Sequence, residues 1–528
     1  MNRVVLVTPL IVFGLYFAAC GGPKKLCNPD NCASGCCTVA SNGDQVCNPG
    51  NVADLCGSGG AECIECASGQ QCSLGACIDP NAVGGGMASG GGAGGGGMGA
   101  GGGGGGGGDI DAGNDAGQTI DAGFDAGFGT GLCANFAPFG SSVGGGAGGG
   151  TAGYPAAHPP FPTSESYGGN VLTAPQLVPV TFNNYPADLR AEVDCFVTSV
   201  GTTPYFLAAT QEYGVGTPVA LDPVHLTEDA PTTLSDNAIK TWLKGKITNL
   251  DPEFPPPSDQ NLYVIFYPKQ TKITYGGQQS CYAFGGYHGS VQVNGIGYPY
   301  AVVPDCGQFF NGLPESEDLT SAGSHEIIEA VTDPLEFNPA YAVVDQSHFI
   351  WEVILLSEVG DLCAQDMASF YQPPGYPFTV QRTWSNANSR IAVGGDPCVP
   401  ELPNEIYFNS VPDQDDNVHL TIQGQTVMTK GIKIPVGGTK TIDLHLFSEA
   451  PTGDWNVGAY DMSQIFGGGT PQYLDMQLSN ASGNNGDTLQ LTIKYIGPDN
   501  LGTGGAAFFV SNQGANGTTS YIGYVSSN

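Results

Sequence analysis

The stretch Ser324-His325-Glu326-Ile327-Ile328-Glu329-Ala330-Val331-Thr332-Asp333-Pro334 decides how the middle of this 528-residue chain is read. On a helix, residues i and i+4 share a face, so His325 and Glu329 are placed to hold one metal ion with Glu326 beside them. This is nearly the His-Glu-x-x-His helix of zinc proteases, with Glu329 in place of the second histidine. A zinc hydrolase needs three protein ligands, an open position for water and a base that takes the water's proton. His325 and Glu329 supply two ligands and Glu326 the base, so a third ligand must come from elsewhere. Candidates are Glu358 and Asp361 in Ser357-Glu358-Val359-Gly360-Asp361-Leu362-Cys363, where Cys363 is suited to clamp the loop by a disulfide. His288, in Gly285-Gly286-Tyr287-His288-Gly289, is another candidate, and His348 a less favoured one. Zn2+ is the expected ion. Two carboxylate ligands leave it less electrophilic than two histidines do, and oxygen-rich ligation suits Ca2+ as the alternative.

Around this helix, residues 154–400 read as an α/β domain with a mixed sheet and the site helix packed beneath it. Leu177–Phe182 and Leu262–Tyr267 are β-branched and aromatic runs of the kind found in buried strands, and Tyr298–Val303 offers another. Asp188–Val200 and Ser235–Ile247 carry apolar residues at helical spacing, with Ser235 as an N-cap. The spacing starts the site helix near Glu317 or Asp318, and Pro334 closes it.

The blocks of this region, in order, resemble the Exordium (phosphate-induced protein) family from about Tyr167 to Cys398. They are Tyr167-Gly168-Gly169-Asn170-Val171-Leu172, then Cys281 through Tyr287-His288, then His325-Glu326-x-x-Glu329-x-x-Thr332-Asp333-Pro334. Glu358-x-x-Asp361-Leu362-Cys363 follows, and Phe378–Asn386 with the trailing Cys398 ends the match. The resemblance implies an extracellular protein, linked in plants to growth control, and carries over no established biochemical activity. It also implies that Glu329 is a family feature, although Asn stands at the place of Asp333 in many relatives. The stretch Phe337–Leu356 departs from the family's short aromatic connection.

The ends of the chain are built differently. Residues 401–528 lose helical periodicity and show short alternating segments, Val418–Ile422, Ile432–Pro435, Thr439–Phe447, Leu489–Tyr495 and Ala507–Ser511, separated by turns such as Gly437-Gly438 and Asn485-Gly486. This predicts a β-sandwich, with His419 and His445 as surface or packing residues. At the other end, residues 1–19 have the basic start and apolar middle of a secretory signal, ending at a lipobox-like Phe17-Ala18-Ala19-Cys20. Lipidation of Cys20 would make the membrane a partner and place the chain on the outer membrane or cell surface, with Gly21 permitting outer-membrane sorting. Ordinary cleavage to a free, soluble chain is the alternative. Residues 20–80 hold ten cysteines between Cys27 and Cys77 and too few large apolar residues for a core, which predicts a disulfide-stapled module; zinc at Cys63 and Cys66 is the alternative. Residues 81–153 form a glycine-rich linker with Asp-Ala-Gly units, and 84–132 alone have a root-mean-square reach of about 40 Å. Six cysteines remain beyond it, Cys133, Cys195, Cys281, Cys306, Cys363 and Cys398, again an even number suited to an oxidising compartment.

A net charge of −34, with only 15 Lys and Arg, excludes nucleic acid as a partner. Three function classes stay open. One is a surface-anchored zinc hydrolase, peptidase-like, acting on a peptide or cell-wall polymer. Another is a non-enzymatic surface protein binding wall glycan or protein, with a structural metal or none. The last is an adhesin whose Tyr, Trp and Asn side chains on the sandwich contact saccharides, although Trp455 is the only tryptophan there; Trp351 and Trp384 fall in the central domain and read as core.

Overall fold

The computed structural model describes residues 153–528, apart from 310–312, 365–366, 391–394, 403–404, 423, 464–471 and 500, and six short strands nearer the N-terminus. The chain divides into two compact units, one of them residues 16–123. In that unit the described strands form three antiparallel pairs: Cys36–Val39 with Gln45–Asn48, Asn51–Val52 with Leu55–Cys56, and Gln71–Ser73 with Ala76–Ile78. The signal sequence, Cys20 and the linker lie outside the described residues. Among the described residues no helix is long and apolar enough to cross a membrane.

In the other unit, β1 (Gln176–Thr181), β2 (Val219–Ala220), β3 (Val224–His225), β4 (Asn261–Tyr267), β5 (Tyr287–Val293) and β6 (Ile296–Pro304) form one mixed sheet. Its order is β3-β1-β4-β6-β5, with β2 paired to β1; all pairs are parallel except the β5–β6 hairpin at the edge. Every residue of β4 is buried, because both faces of the sheet are covered. Leu262, Val264 and Phe266 point into a core shared with α1 (Ala187–Val200) and α4 (Glu315–Thr332), helices that bracket α2 (Pro204–Thr210) and α3 (Asp236–Thr248) in the chain. Tyr263, Ile265 and Tyr267, on the opposite face, pack with Ile239, Leu243 and Ile247 of α3. Ser235 caps α3 as its sequence indicates, its hydroxyl accepting from the Ala238 N–H at 3.4 Å.

Helix α4 begins at Glu315, two to three residues earlier than the spacing predicts, because Pro314 occupies the N-cap and Glu315, Glu317 and Asp318 fill the first turn. It is buried on almost every side. Small residues permit this: a Cβ on Gly323 would sit 2.9 Å from the Phe196 ring of α1.

Residues beyond 401 form two packed sheets. The strands are β7 (Phe408–Pro412), β8 (Asp416–Ile422), β9 (Gln425–Lys433), β10 (Thr439–Ser448), β11 (Trp455–Asp461), β12 (Leu474–Leu478), β13 (Ser482–Gly483), β14 (Thr488–Tyr495), β15 (Ala506–Gly514) and β16 (Gly517–Ser526). Their orders are β7-β10-β14-β12 and β8-β9-β16-β15-β11-β13. The expected strand at Ile432–Pro435 is only the tail of β9, which stops at Lys433 before Pro435. Trp455 is 2% exposed, so no tryptophan of the sandwich is displayed for stacking; Tyr460, 46% exposed and stacked on Phe509 at 5.2 Å, is an aromatic side chain that is.

The stretch Phe337–Leu356 joins the two halves. Tyr341–Val344 pairs with Ser164–Ser166, and α5 (Phe349–Leu355) packs on β16. Trp351 donates its indole N–H to the Ile522 carbonyl at 3.1 Å and meets the Tyr521 ring edge-on at 5.2 Å. Phe161 touches the rings of Trp384, Tyr407, Phe447 and Tyr521, and one hydrophobic core runs through both halves.

Candidate metal centre

Helix α4 presents His325, Glu326 and Glu329 toward β5 and toward the loop before α6 (Asp361–Ala364). The His325 Nε2 lies 3.1 Å from a Glu329 oxygen and 3.7 Å from Asp361. From the edge strand, His288 Nδ1 stands 3.7 Å from both Glu326 and Glu329, and its Nε2 is 3.5 Å from Glu358. Six of the seven residues singled out by sequence therefore meet in one cluster. His348 does not join them; it pairs with Asp345 at 2.9 Å. His445 pairs with Asp413 at 3.0 Å in the sandwich, and His419 is exposed there.

Two residues of the cluster escaped the sequence reading. Asp333, read there only within the resemblance, is grouped through its carboxylate with His288 and Glu358, and its Oδ1 accepts from the Ala340 N–H at 2.7 Å. Gln381 is fully buried on the extended segment beside α4 and accepts from His325 Nδ1 at 3.1 Å. Its amide is oriented by donating from Nε2 to the Gly360 carbonyl at 2.7 Å, so Oε1 faces the ring. The His325 proton is thereby held on Nδ1, leaving Nε2 free as a ligand atom. No motif announces such a glutamine, because its role depends on a contact across 56 residues.

The loop carrying Glu358 and Asp361 is tied down at several points. The Asp361 N–H donates to Glu329 at 3.0 Å, the Trp384 N–H to the Val359 carbonyl at 2.8 Å, and Cys363 forms the expected clamping disulfide, with Cys398 as the partner that the sequence left open. A second disulfide joins Cys281 to Cys306, and Cys195 is also disulfide-bonded. Two glycines let backbone approach the carboxylates: a Cβ on Gly360 would lie 2.7 Å from Glu329 and 2.9 Å from His325, and one on Gly286 would lie 2.6 Å from Glu326.

Burial sets the electrostatics. Glu326 and Glu329 are 4% and 2% exposed, whereas the Glu358 side chain is 26% exposed and marks the open side. Burial raises the carboxyls of Glu358 and Asp361 well above the usual range, and the Glu329 charge adds to both. Glu326 is raised as well, chiefly by burial. Glu329 moves the other way: burial opposes its charge, but His325 and His288 outweigh it. For His325 and His288 burial likewise opposes the charged ring, and the surrounding carboxylates, Glu329 for the first and Glu358 for the second, lift both well above the ordinary value. Without a metal, protons balance this much negative charge.

Three overlapping groups bring one donor atom per residue within 4.8 Å of one another: His325, Glu329 and Asp361; His288, Glu326 and Glu329; and His288, Asp333 and Glu358. The first is a fit for a divalent cation, with one imidazole and two carboxylates.

No family model matches the chain, and no curated protein matches it. Among solved structures, a trigonal form of titin M4 is 17% identical, covering 19% of this chain and 86% of its own, with a TM-score of 0.13. A chimeric titin Z1Z2 functionalized with a KLER exogenous peptide from decorin is 12% identical, covering 21% of this chain and 94% of its own, also with a TM-score of 0.13. Scores at that level carry no argument about function.

Proposed function

We propose that the chain is an exported, surface-anchored lipoprotein whose central part is a zincin-like, Exordium-like metal-dependent hydrolase of peptide or cell-wall polymer bonds. The observation that carries the reading is the trio His325, Glu329 and Asp361, whose donor atoms converge while Gln381 holds the imidazole in the ligand tautomer. Asp361 takes the place of third ligand. Zn2+ bound there would lower the pKa of its water, and Glu326, one residue from His325 on the same helix, is the base that receives the proton.

The test separates ligand from base. Elemental analysis of the purified full chain should show zinc that is lost in His325→Ala. Glu326→Gln should keep the zinc and lose hydrolysis of a peptide library at least 100-fold. Hydrolysis undiminished in Glu326→Gln removes the mechanism. The near-complete burial of Glu326 and Glu329 favours a second reading, a non-enzymatic surface binding protein with a structural Ca2+, and metal retention without any hydrolysis in the wild type would select it.

A further inference from the structure

We infer that the centre holds two divalent cations, not one, the second carried by His288, Asp333 and Glu358. This rests on the metal reading above and extends it. The two trios, His325 with Glu329 and Asp361 and His288 with Asp333 and Glu358, share no residue, and each satisfies the same convergence of donor atoms. They abut, since Glu329 lies 3.1 Å from His325 and 3.7 Å from His288, which places its carboxylate at the seam between the ions.

Charge supplies an independent argument. Glu326, Glu329, Asp333, Glu358 and Asp361 bring five carboxylates into one cluster beside two imidazoles. With the rings neutral as ligands and all five carboxyls ionised, one divalent cation leaves a formal charge of −3 in a largely buried site, to be met by protons, and two leave −1. Concentrated, uncompensated charge away from water is strongly disfavoured.

Glu326 points the same way. At 4% exposure its carboxylate accepts no hydrogen bond among the described residues, and its closest cationic neighbour is His288 Nδ1 at 3.7 Å. A buried carboxylate whose nearest donor, His288 Nδ1, stands 3.7 Å away is weakly satisfied and leaves room for a further ligand atom between them. Water held by the two ions would supply a hydrogen-bond partner for Glu326. Ions held this way in hydrolases sit about 3.5–4 Å apart and share the attacking oxygen. The donor set, two carboxylates and one imidazole for each ion, suits Zn2+ or Mn2+.

The experiment is equilibrium dialysis of the full, metal-stripped chain against Mn2+, with bound metal counted per chain. His445→Ala is the background throughout, which removes the partly exposed trio Asp413, Asp443 and His445. Two ions are expected, falling to one in Glu358→Gln and to one in Asp361→Asn, with circular dichroism unchanged. The electron paramagnetic resonance spectrum of the doubly loaded chain should show exchange coupling, which collapses to an isolated-ion signal in either variant. A stoichiometry of one, unaltered by Glu358→Gln, overturns the second site and leaves the single-metal reading standing. Two ions without exchange coupling also overturn it, because the second ion then lies elsewhere. No bound metal in any form removes both readings.

Discussion

Gln381 and Arg382 show how much a single step along an extended segment changes. Gln381 faces the histidine of the cluster, while Arg382, equally buried, bonds Asp396 at 2.9 Å and Glu405 at 3.0 Å. Neighbouring side chains on extended backbone point to opposite sides, so one strand orients a ligand and anchors the segment at once. Replacing Gln381 by Leu keeps the volume and removes the acceptor on His325 Nδ1. Cation affinity should fall about 10- to 100-fold with the fold unchanged, read by competition against a chromophoric chelator; unchanged affinity would show that the glutamine merely fills space. Glu352 makes a different residue-scale prediction. Burial pushes its carboxyl up to about 7, against the pull of the Val344 N–H donating at 3.4 Å. Its folded pKa therefore lies above that of the unfolded chain, so its contribution to stability is complete below about pH 4.5 and is lost as the pH rises through 7. Urea unfolding at pH 5 and pH 8 should differ by roughly 1–3 kcal/mol more in the wild type than in Glu352→Gln. Equal pH dependence in the two proteins would refute this.

At the scale of elements, the loop from Ser357 to Cys363 is the part of the centre least supported by regular structure, and the Cys363–Cys398 bond, which closes a span of 35 residues, pins its C-terminal end. Replacing both cysteines by Ala should cost about 3–4 kcal/mol from loop entropy alone. Because Asp361 lies two residues from the bond, cation affinity should fall as well; lost stability with full affinity would mean that the hydrogen bonds to Gly360 and Val359 suffice. The sequence disclosed elements where one periodicity ruled. Leu262–Tyr267 is unmistakable because both faces of its strand are buried, and the α4 cluster because helical spacing is strict. Strand β7 was not legible: Asn409 and Ser410 are fully buried within it, bonded through Asn512 and Trp455, so polar residues stand where a core pattern calls for apolar ones. The Glu358 to Asp361 loop could be nominated only by its residue types, since its approach to α4 depends on glycines and on contacts distant in sequence.

For the molecule as a whole, composition changes sharply near residue 400, yet packing does not. Trp351, Tyr521, Phe161 and Phe447 belong to one core, and α5, in the stretch that departs from the Exordium pattern, is what the sandwich rests on. Trp351→Ala should cost about 3–5 kcal/mol, from the emptied volume and the orphaned Ile522 carbonyl. Hydrogen exchange of the full chain should then accelerate alike in peptides from β4 and from β14, as one cooperative unit requires. Acceleration confined to β14 would show two units instead. The same continuity bears on how such a chain can be assembled by gene fusion. A recombination break near residue 400 looks inviting in composition, but either fragment would carry half of an interior as its new outside, so the sandwich is not a cassette that can be traded freely between genes without its matching helix.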